Sequence, residues 1–139
     1  MRVLVRTPNW LGDIVMALPV FAAVRAHYAD DVVALAGPAA FTPLLEAVAG
    51  VDLVVPLRRD LRGSRARRAE VAQLRDGRFD VAVLLPNSFG AAWVARTAGI
   101  PERWGLAGRW RRRLLSRPVP RPPSRTHQVD EYLALLRGL

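Results

Sequence analysis

An α/β fold built on a parallel sheet, with helices on its faces, is what this sequence predicts. Two observations carry the prediction. Short apolar runs alternate with stretches of helical periodicity four times along the chain. Each apolar run also ends in Pro, Gly, Asn or Asp, the residues that turn a chain. With 139 residues and no cysteine, one domain held by an ordinary hydrophobic core is expected. A core of that size buries roughly 68% of the unfolded surface, so no covalent staple is needed.

The elements follow in order. Arg2 to Arg6 reads as a buried strand. The stretch from Gly12 to about Tyr28 places Ile14, Ala17, Leu18, Phe21 and Val24 on one face and is expected to be a single helix bent at Pro19. Val32 to Ala36 is a second strand, followed by a short helix carrying Phe41, Leu44, Leu45 and Val48 and ended by Gly50. Asp52 to Val55 is a third strand, closed by Pro56. Leu57 to Arg78 is expected to hold a loop and then a solvated helix with a thin apolar stripe that includes Leu61, Val71 and Leu74. Phe79 to Leu85 is the clearest strand, and Ser88 is placed to cap a helix reaching Gly99. Arg103 to Ala107 gives a fifth strand. Gly108 to Arg125 reads as irregular, and Thr126 is expected to cap a last helix with Asp130 and Glu131 in its first turn.

The net charge of +9 is concentrated. Every cation is Arg. Residues 57–78 hold eight Arg against three acids, and residues 103–125 hold eight against none, while the remainder sums to −4. Two basic segments on a mildly acidic body point to an anionic partner: nucleic acid, anionic lipid or a phosphorylated substrate. Most of these Arg are expected simply to be solvated. No apolar run reaches the ~18 residues of a membrane span, and Pro8, Asn9 and Asp13 interrupt any signal-peptide core, so a soluble cytoplasmic protein is expected.

Chemistry gathers where strands give way to helices, because ligands of open parallel sheets sit outside the carboxyl ends of the strands. The first such turn is Arg6-Thr7-Pro8-Asn9-Trp10-Leu11-Gly12-Asp13. It has neither the three glycines of a dinucleotide fold nor the Gly-Lys-Ser/Thr of a phosphate loop. Asp13 would repel a phosphate, so an acid aimed at a sugar hydroxyl is its better use. The plainer reading is a helix acid worth about 0.3–1 kcal/mol against the dipole, and a base here needs some burial beside Trp10. Asn87 and Ser88, after Pro86, sit on the same edge and are placed to bond a substrate hydroxyl, although Ser88 equally reads as a cap. No Gly-x-Ser-x-Gly surrounds Ser88, which disfavours a hydrolase nucleophile. Arg binds carboxylate and phosphate in a fork, which suits an acceptor bearing both. Trp104 and Trp110 read either as sugar-stacking or as core. His27 and His127 have no spacing for a metal; His27 reads as a surface helix residue.

The chain resembles the N-terminal domain of the lipopolysaccharide heptosyltransferases of glycosyltransferase family 9. The resemblance rests on Val3-Leu4-Val5-Arg6 with Pro8-Asn9-Trp10-Leu11-Gly12-Asp13, on Met16-Ala17-Leu18-Pro19, on Phe79-Asp80 leading into Leu84-Leu85-Pro86-Asn87-Ser88-Phe89, on Ala98-Gly99-Ile100-Pro101 with Arg103 and Gly105, and on Tyr132 to Leu136. The Pro-Asn-Trp-Leu-Gly-Asp string is the specific part and points to the heptosyltransferase II type. The resemblance implies a Rossmann-like domain, the N-terminal half of a GT-B enzyme, that covers residues 1–139 and binds the acceptor. It implies an ADP-heptose donor held by a C-terminal domain absent from this chain, and a Kdo-bearing lipopolysaccharide acceptor. Transfer would be inverting and would use no cofactor and no metal at the chemistry. Asp13 falls on the family's general base. Asn9, Trp10, Gly12, Asn87 and Ser88 fall around the acceptor, and Arg58, Arg59 and Arg62 would meet its carboxylates and phosphates. The implied location is the cytoplasmic face of the inner membrane, with peripheral contact to its anionic surface. Alone, such a half is expected to be inactive. The competing reading is an Arg-rich nucleic-acid-binding α/β module, which the lack of a recognition helix or RNA-binding aromatics disfavours. A small nucleotide-binding domain is disfavoured by the missing phosphate loop.

Overall fold

The computed structural model describes every residue except Arg59 and Arg109. Six strands form one parallel sheet: β1 (Arg2–Arg6), β2 (Val32–Pro38), β3 (Leu53–Leu57), β4 (Val81–Leu84), β5 (Glu102–Leu106) and β6 (Arg117–Val119). Their spatial order is β3-β2-β1-β4-β5-β6, and every neighbouring pair is parallel. The alternating side chains of each strand serve two cores. Val3, Val5, Val33, Leu35, Val81, Val83, Trp104 and Leu106 face one layer. Leu4, Ala34, Ala36, Ala82 and Leu84 face the other. Burial on both faces explains why the strands read as near-continuous apolar runs.

The first layer is packed by α1 (Leu11–Met16), α2 (Leu18–His27), α3 (Thr42–Glu46) and α6 (Gln128–Ala134); the second is packed by α4 (Gly63–Asp76) and α5 (Phe89–Thr97). Helices therefore cover both faces of a doubly wound sheet.

Several expectations are corrected in detail. The predicted single helix is two, because the chain breaks at Ala17 and Pro19 lies in the first turn of α2, where its missing N–H costs nothing. The third strand runs through Pro56 to Leu57; β3 is an edge strand, and its other side has no ladder to interrupt. The basic segment read as irregular holds a 3₁₀ turn at Arg111–Leu114 and the edge strand β6, whose Pro118 is tolerated for the same reason. His127, not Thr126, caps the last helix: its Nδ1 accepts from the Val129 N–H at 3.3 Å, while the Thr126 hydroxyl turns back to the Pro123 carbonyl. Ser88 does cap α5, its Oγ accepting from the Ala91 N–H at 3.1 Å, and Gly99 (φ +83°) supplies the left-handed residue just past the end of that helix.

Candidate active site

The strand order reverses between β1 and β4, which lie side by side with Arg6 opposite Leu84. That is the switch point where the connections leave to opposite faces and a crevice opens beyond the strand ends. The turn after β1 carries Asn9 and Trp10 into α1, and the turn after β4 carries Asn87 and Ser88 into α5. The Leu85 N–H donates to the Arg6 carbonyl at 3.2 Å, so the two turns begin from a shared hydrogen bond.

Arg6 organises the first turn. The residue is 7% exposed, and its guanidinium donates to Glu70 Oε1 at 2.8 Å, to the Thr7 carbonyl at 2.7 Å and to Asn9 Oδ1 at 3.1 Å. Asn9 is thus held by its oxygen. Thr7 is fully buried and donates to the Pro8 carbonyl, and Gly37 of β2 leaves it room: a Cβ there would fall 2.4 Å from Thr7 Oγ1. The rigid turn sets Asp13 in the first turn of α1, half-buried and without an ion pair among the described residues. Gly12 beside it faces open space, since a Cβ would meet nothing within 4 Å.

The expected screen for Asp13 is not Trp10, whose ring is 70% exposed. The buried aromatic on that side is Tyr132 of α6. Burial pushes its phenol well up, and the charges of Asp13 and then Glu131 push it further. Glu131 in turn accepts from Asn87 Nδ2 at 2.9 Å, which ties α6 to the second turn. Asp13, Tyr132, Glu131 and Asn87 therefore share one neighbourhood. Glu131 and Tyr132 were legible only as a first-turn acid and an apolar-face residue, because nothing in the sequence shows that α6 returns to the first turn.

Beyond Arg6 lies a cavity of about 580 Å³ lined by Arg58, Arg62, Arg67, Glu70 and Gln73. The structure brings Arg58 and Arg62 together there, and Arg6, which lines the same cavity, connects it to Asn9. Arg58 is paired with Asp60 at the surface, Nη2 to Oδ2 2.5 Å, which raises the guanidinium and lowers the carboxyl from their ordinary values. Arg59 lies outside the described residues. Ser88 spends its oxygen on the helix cap. The two tryptophans of the second basic segment divide: Trp104 is buried and donates to Glu102 Oε1 at 2.6 Å, while Trp110 is 70% exposed. Among the described residues, no three His, Asp or Glu gather to hold a metal ion, and no helix is long and apolar enough to cross a membrane.

The family model of glycosyltransferase family 9 (heptosyltransferase) matches residues 67–139. The chain belongs to that family. Lipopolysaccharide heptosyltransferase 2 of Escherichia coli K12 is 36% identical over 118 residues, which is 84% of this chain and 34% of that protein. The structure of the E. coli ADP-heptose lipopolysaccharide heptosyltransferase II superposes with TM-score 0.77 at 34% identity, over 97% of this chain and 40% of the other. The E. coli heptosyltransferase WaaC with ADP shares the fold, TM-score 0.79 at 16% identity, over 99% of this chain and 47% of its own. The family 9 chain thus spans about a third to a half of the relatives it matches, and its Rossmann-like sheet corresponds to the N-terminal half of their GT-B architecture.

Proposed function

We propose that residues 1–139 are the acceptor-binding, base-carrying half of an inverting heptosyltransferase. The half would act with an ADP-heptose-binding domain on a Kdo-bearing lipopolysaccharide inner core at the inner face of the cytoplasmic membrane. The observation that carries the reading is the placement of Asp13. It stands half-buried in the first turn of α1, at the switch point between β1 and β4, with no ion pair among the described residues and on a turn locked by Arg6. An acceptor hydroxyl set against the Asp13 carboxylate gives up its proton as its oxygen attacks the anomeric carbon of the heptose. The bond to ADP breaks on the opposite face, so the configuration inverts. Arg62 and Arg67 supply forked donors for the sugar carboxylates, while Arg58, whose own fork is closed on Asp60, and Arg59 add positive charge.

Gly12 and Asn9 complete the reading. The protein's own packing does not require glycine at position 12, so a ligand passing close to the backbone is a physical reason for it. Asn9, with its oxygen held by Arg6, keeps its amide hydrogens for an acceptor oxygen, and Trp10 offers an exposed ring to a sugar face. The Arg-rich surfaces would also favour an anionic bilayer.

The test is a titration of the chain with Kdo and, separately, with duplex DNA. Kdo binding that persists at moderate salt and is lost in an Arg58→Ala/Arg62→Ala variant supports the acceptor reading. Binding of DNA alone, with log affinity falling linearly in log salt, would replace it with a nucleic-acid module.

A further inference from the structure

We infer that Glu131 is a positioning residue: it takes an amide hydrogen of Asn87 and so leaves that side chain's oxygen for the sugar, while Asn9 offers hydrogens, a pattern met by sugar hydroxyls and not by an anionic group. The inference deepens the acceptor reading and rests on it for the ligand.

The chain has two asparagines, and both stand at the switch point, one on each turn. An asparagine amide offers either its oxygen or its hydrogens, and the partner decides which. A charged partner decides without ambiguity, since a guanidinium only donates and a carboxylate only accepts. Asn9 meets a guanidinium: Arg6 Nη2 donates to its Oδ1 at 3.1 Å. Asn87 meets a carboxylate: its Nδ2 donates to Glu131 Oε1 at 2.9 Å. The two amides are therefore fixed in opposite senses. Neither Asn9 Nδ2 nor Asn87 Oδ1 has a further partner among the described residues, and Asn87 is exposed.

The backbone of Asn87 is held as well. Arg111 Nη1 donates to the Pro86 and Ser88 carbonyls, one on each side of it, and the Ser88 Oγ caps α5. Side-chain rotation is what remains, and Glu131 is the group that stops it. Glu131 is itself fixed in the first turn of α6: it is half-buried beside the buried Tyr132, and its N–H donates to the His127 carbonyl at 2.9 Å. Its carboxylate forms no ion pair among the described residues, so its charge is spent on the Asn87 amide. One arginine-lined cavity reaches Arg6, and another, of about 660 Å³, has Asn87 on its wall with Arg111, Arg112 and Arg121. In the neighbourhood of Asp13, by contrast, Glu131 and the Asn87 oxygen add only further hydrogen-bond acceptors. A carboxylate or phosphate oxygen brought to Asn87 Oδ1 finds no hydrogen to take. A sugar hydroxyl gives its hydrogen to Asn87, and another takes one from Asn9. An unmade bond at a polar group costs more than a made one contributes, so the sense of the amide discriminates between the two.

The experiment uses the ¹⁵N-labelled chain, whose two asparagines and two glutamines leave few side-chain amide signals to assign. Without ligand, one Asn87 Nδ2 hydrogen is expected to exchange with water more slowly than its twin. Two equally fast hydrogens would overturn the inference. Kdo is then titrated into the wild type, Glu131→Gln and Glu131→Lys. Glutamine still accepts from Asn87, so Kdo affinity should stay within about twofold of the wild type. Lysine only donates, so it should draw the Asn87 oxygen onto itself, abolish the slow hydrogen and weaken Kdo roughly tenfold. Charge alone predicts the reverse, because an added cation favours an anionic sugar. Equal or tighter Kdo binding by Glu131→Lys, or equal losses in both variants, would overturn the positioning role and leave the acceptor reading standing. No Kdo binding by the wild type would remove the acceptor reading and this inference with it. Should Glu131→Lys not fold, the slow hydrogen in the wild type and its retention in Glu131→Gln decide.

Discussion

Asp13 and Gly12 are the residues on which the proposed chemistry turns, and each separates function from folding. Asp13 forms no ion pair among the described residues, so Asp13→Asn should leave thermal stability within about 0.5 kcal/mol. In the two-domain enzyme it should lower kcat at least ~10²-fold, the lower bound for losing a positioned base. Unchanged turnover would return Asp13 to a helix acid. Gly12→Ala meets open space within a helix, so stability should hold or rise by about 0.5–1 kcal/mol, while acceptor KM rises. An unaltered KM would show that no ligand passes close to that backbone. Tyr132 reports its surroundings through pH. Its folded pKa is raised above the unfolded value of about 10, so above pH 10 the unfolded chain loses a proton that the folded chain keeps. Stability should then fall by up to about 1.4 kcal/mol per pH unit. Tyr132→Phe should flatten that alkaline limb in urea titrations, and an identical limb in the variant would show that Tyr132 does not cause it.

Helix starts and close approaches between elements decide the fine geometry of the site. Ser88 caps α5, and Arg111 pins the Pro86 and Ser88 carbonyls immediately before it. Ser88→Ala should cost about 1 kcal/mol, read as a lowered thermal midpoint, with Kdo affinity unchanged. A fall in Kdo affinity at constant stability would instead make Ser88 a ligand. Two glycines permit β-strands to approach buried polar groups: Gly37 beside Thr7, and Gly105 beside the Arg111 guanidinium. Gly37→Ala forces a Cβ against Thr7 Oγ1 and Leu45, and should cost about 1–3 kcal/mol by overpacking. A neutral effect on urea denaturation would show that the turn can move aside. In contrast to Ser88, α1 starts at Trp10 with no side-chain cap. Its six residues are held by packing against the core through Ile14 and by the Arg6-anchored turn before them.

Across the molecule, the parallel sheet sends every strand's carboxyl end to one edge, and both basic cavities contain residues from that edge. Both outer strands carry proline, Pro56 in β3 and Pro118 in β6, which blunts them against further pairing. The chain contains no Gly-rich phosphate loop, and the proposed half reaction is binding of the acceptor. Residues 1–139 alone should therefore give no heptose transfer from ADP-heptose, and turnover should appear when a donor-binding half is supplied. Transfer by the chain alone would overturn that division of labour.

The fold class and most strands were legible because fully buried strands read as apolar runs whatever their neighbours. Val3 to Val5 and Val81 to Leu84 need no partner to be recognised. Asp13 and the turn around it were equally legible, since a strand, a polar turn and a helix acid are contiguous in sequence. The edge strand β6 was hidden by its prolines and arginines; only pairing with β5 makes it a strand. Strand order, the return of α6 to the first turn, and the meeting of Tyr132 and Glu131 with Asp13 and Asn87 are long-range events. So is the choice of Arg111 from a run of arginines as the one that is buried among the described residues, because position within a charged run carries no signal of burial. The sequence alone fixes which residues are apolar and which turns are polar, for these depend on local chemistry. Only the tertiary structure decides which turns meet at β1 and β4 and which charges are left without a counter-charge, since both follow from how the sheet is ordered.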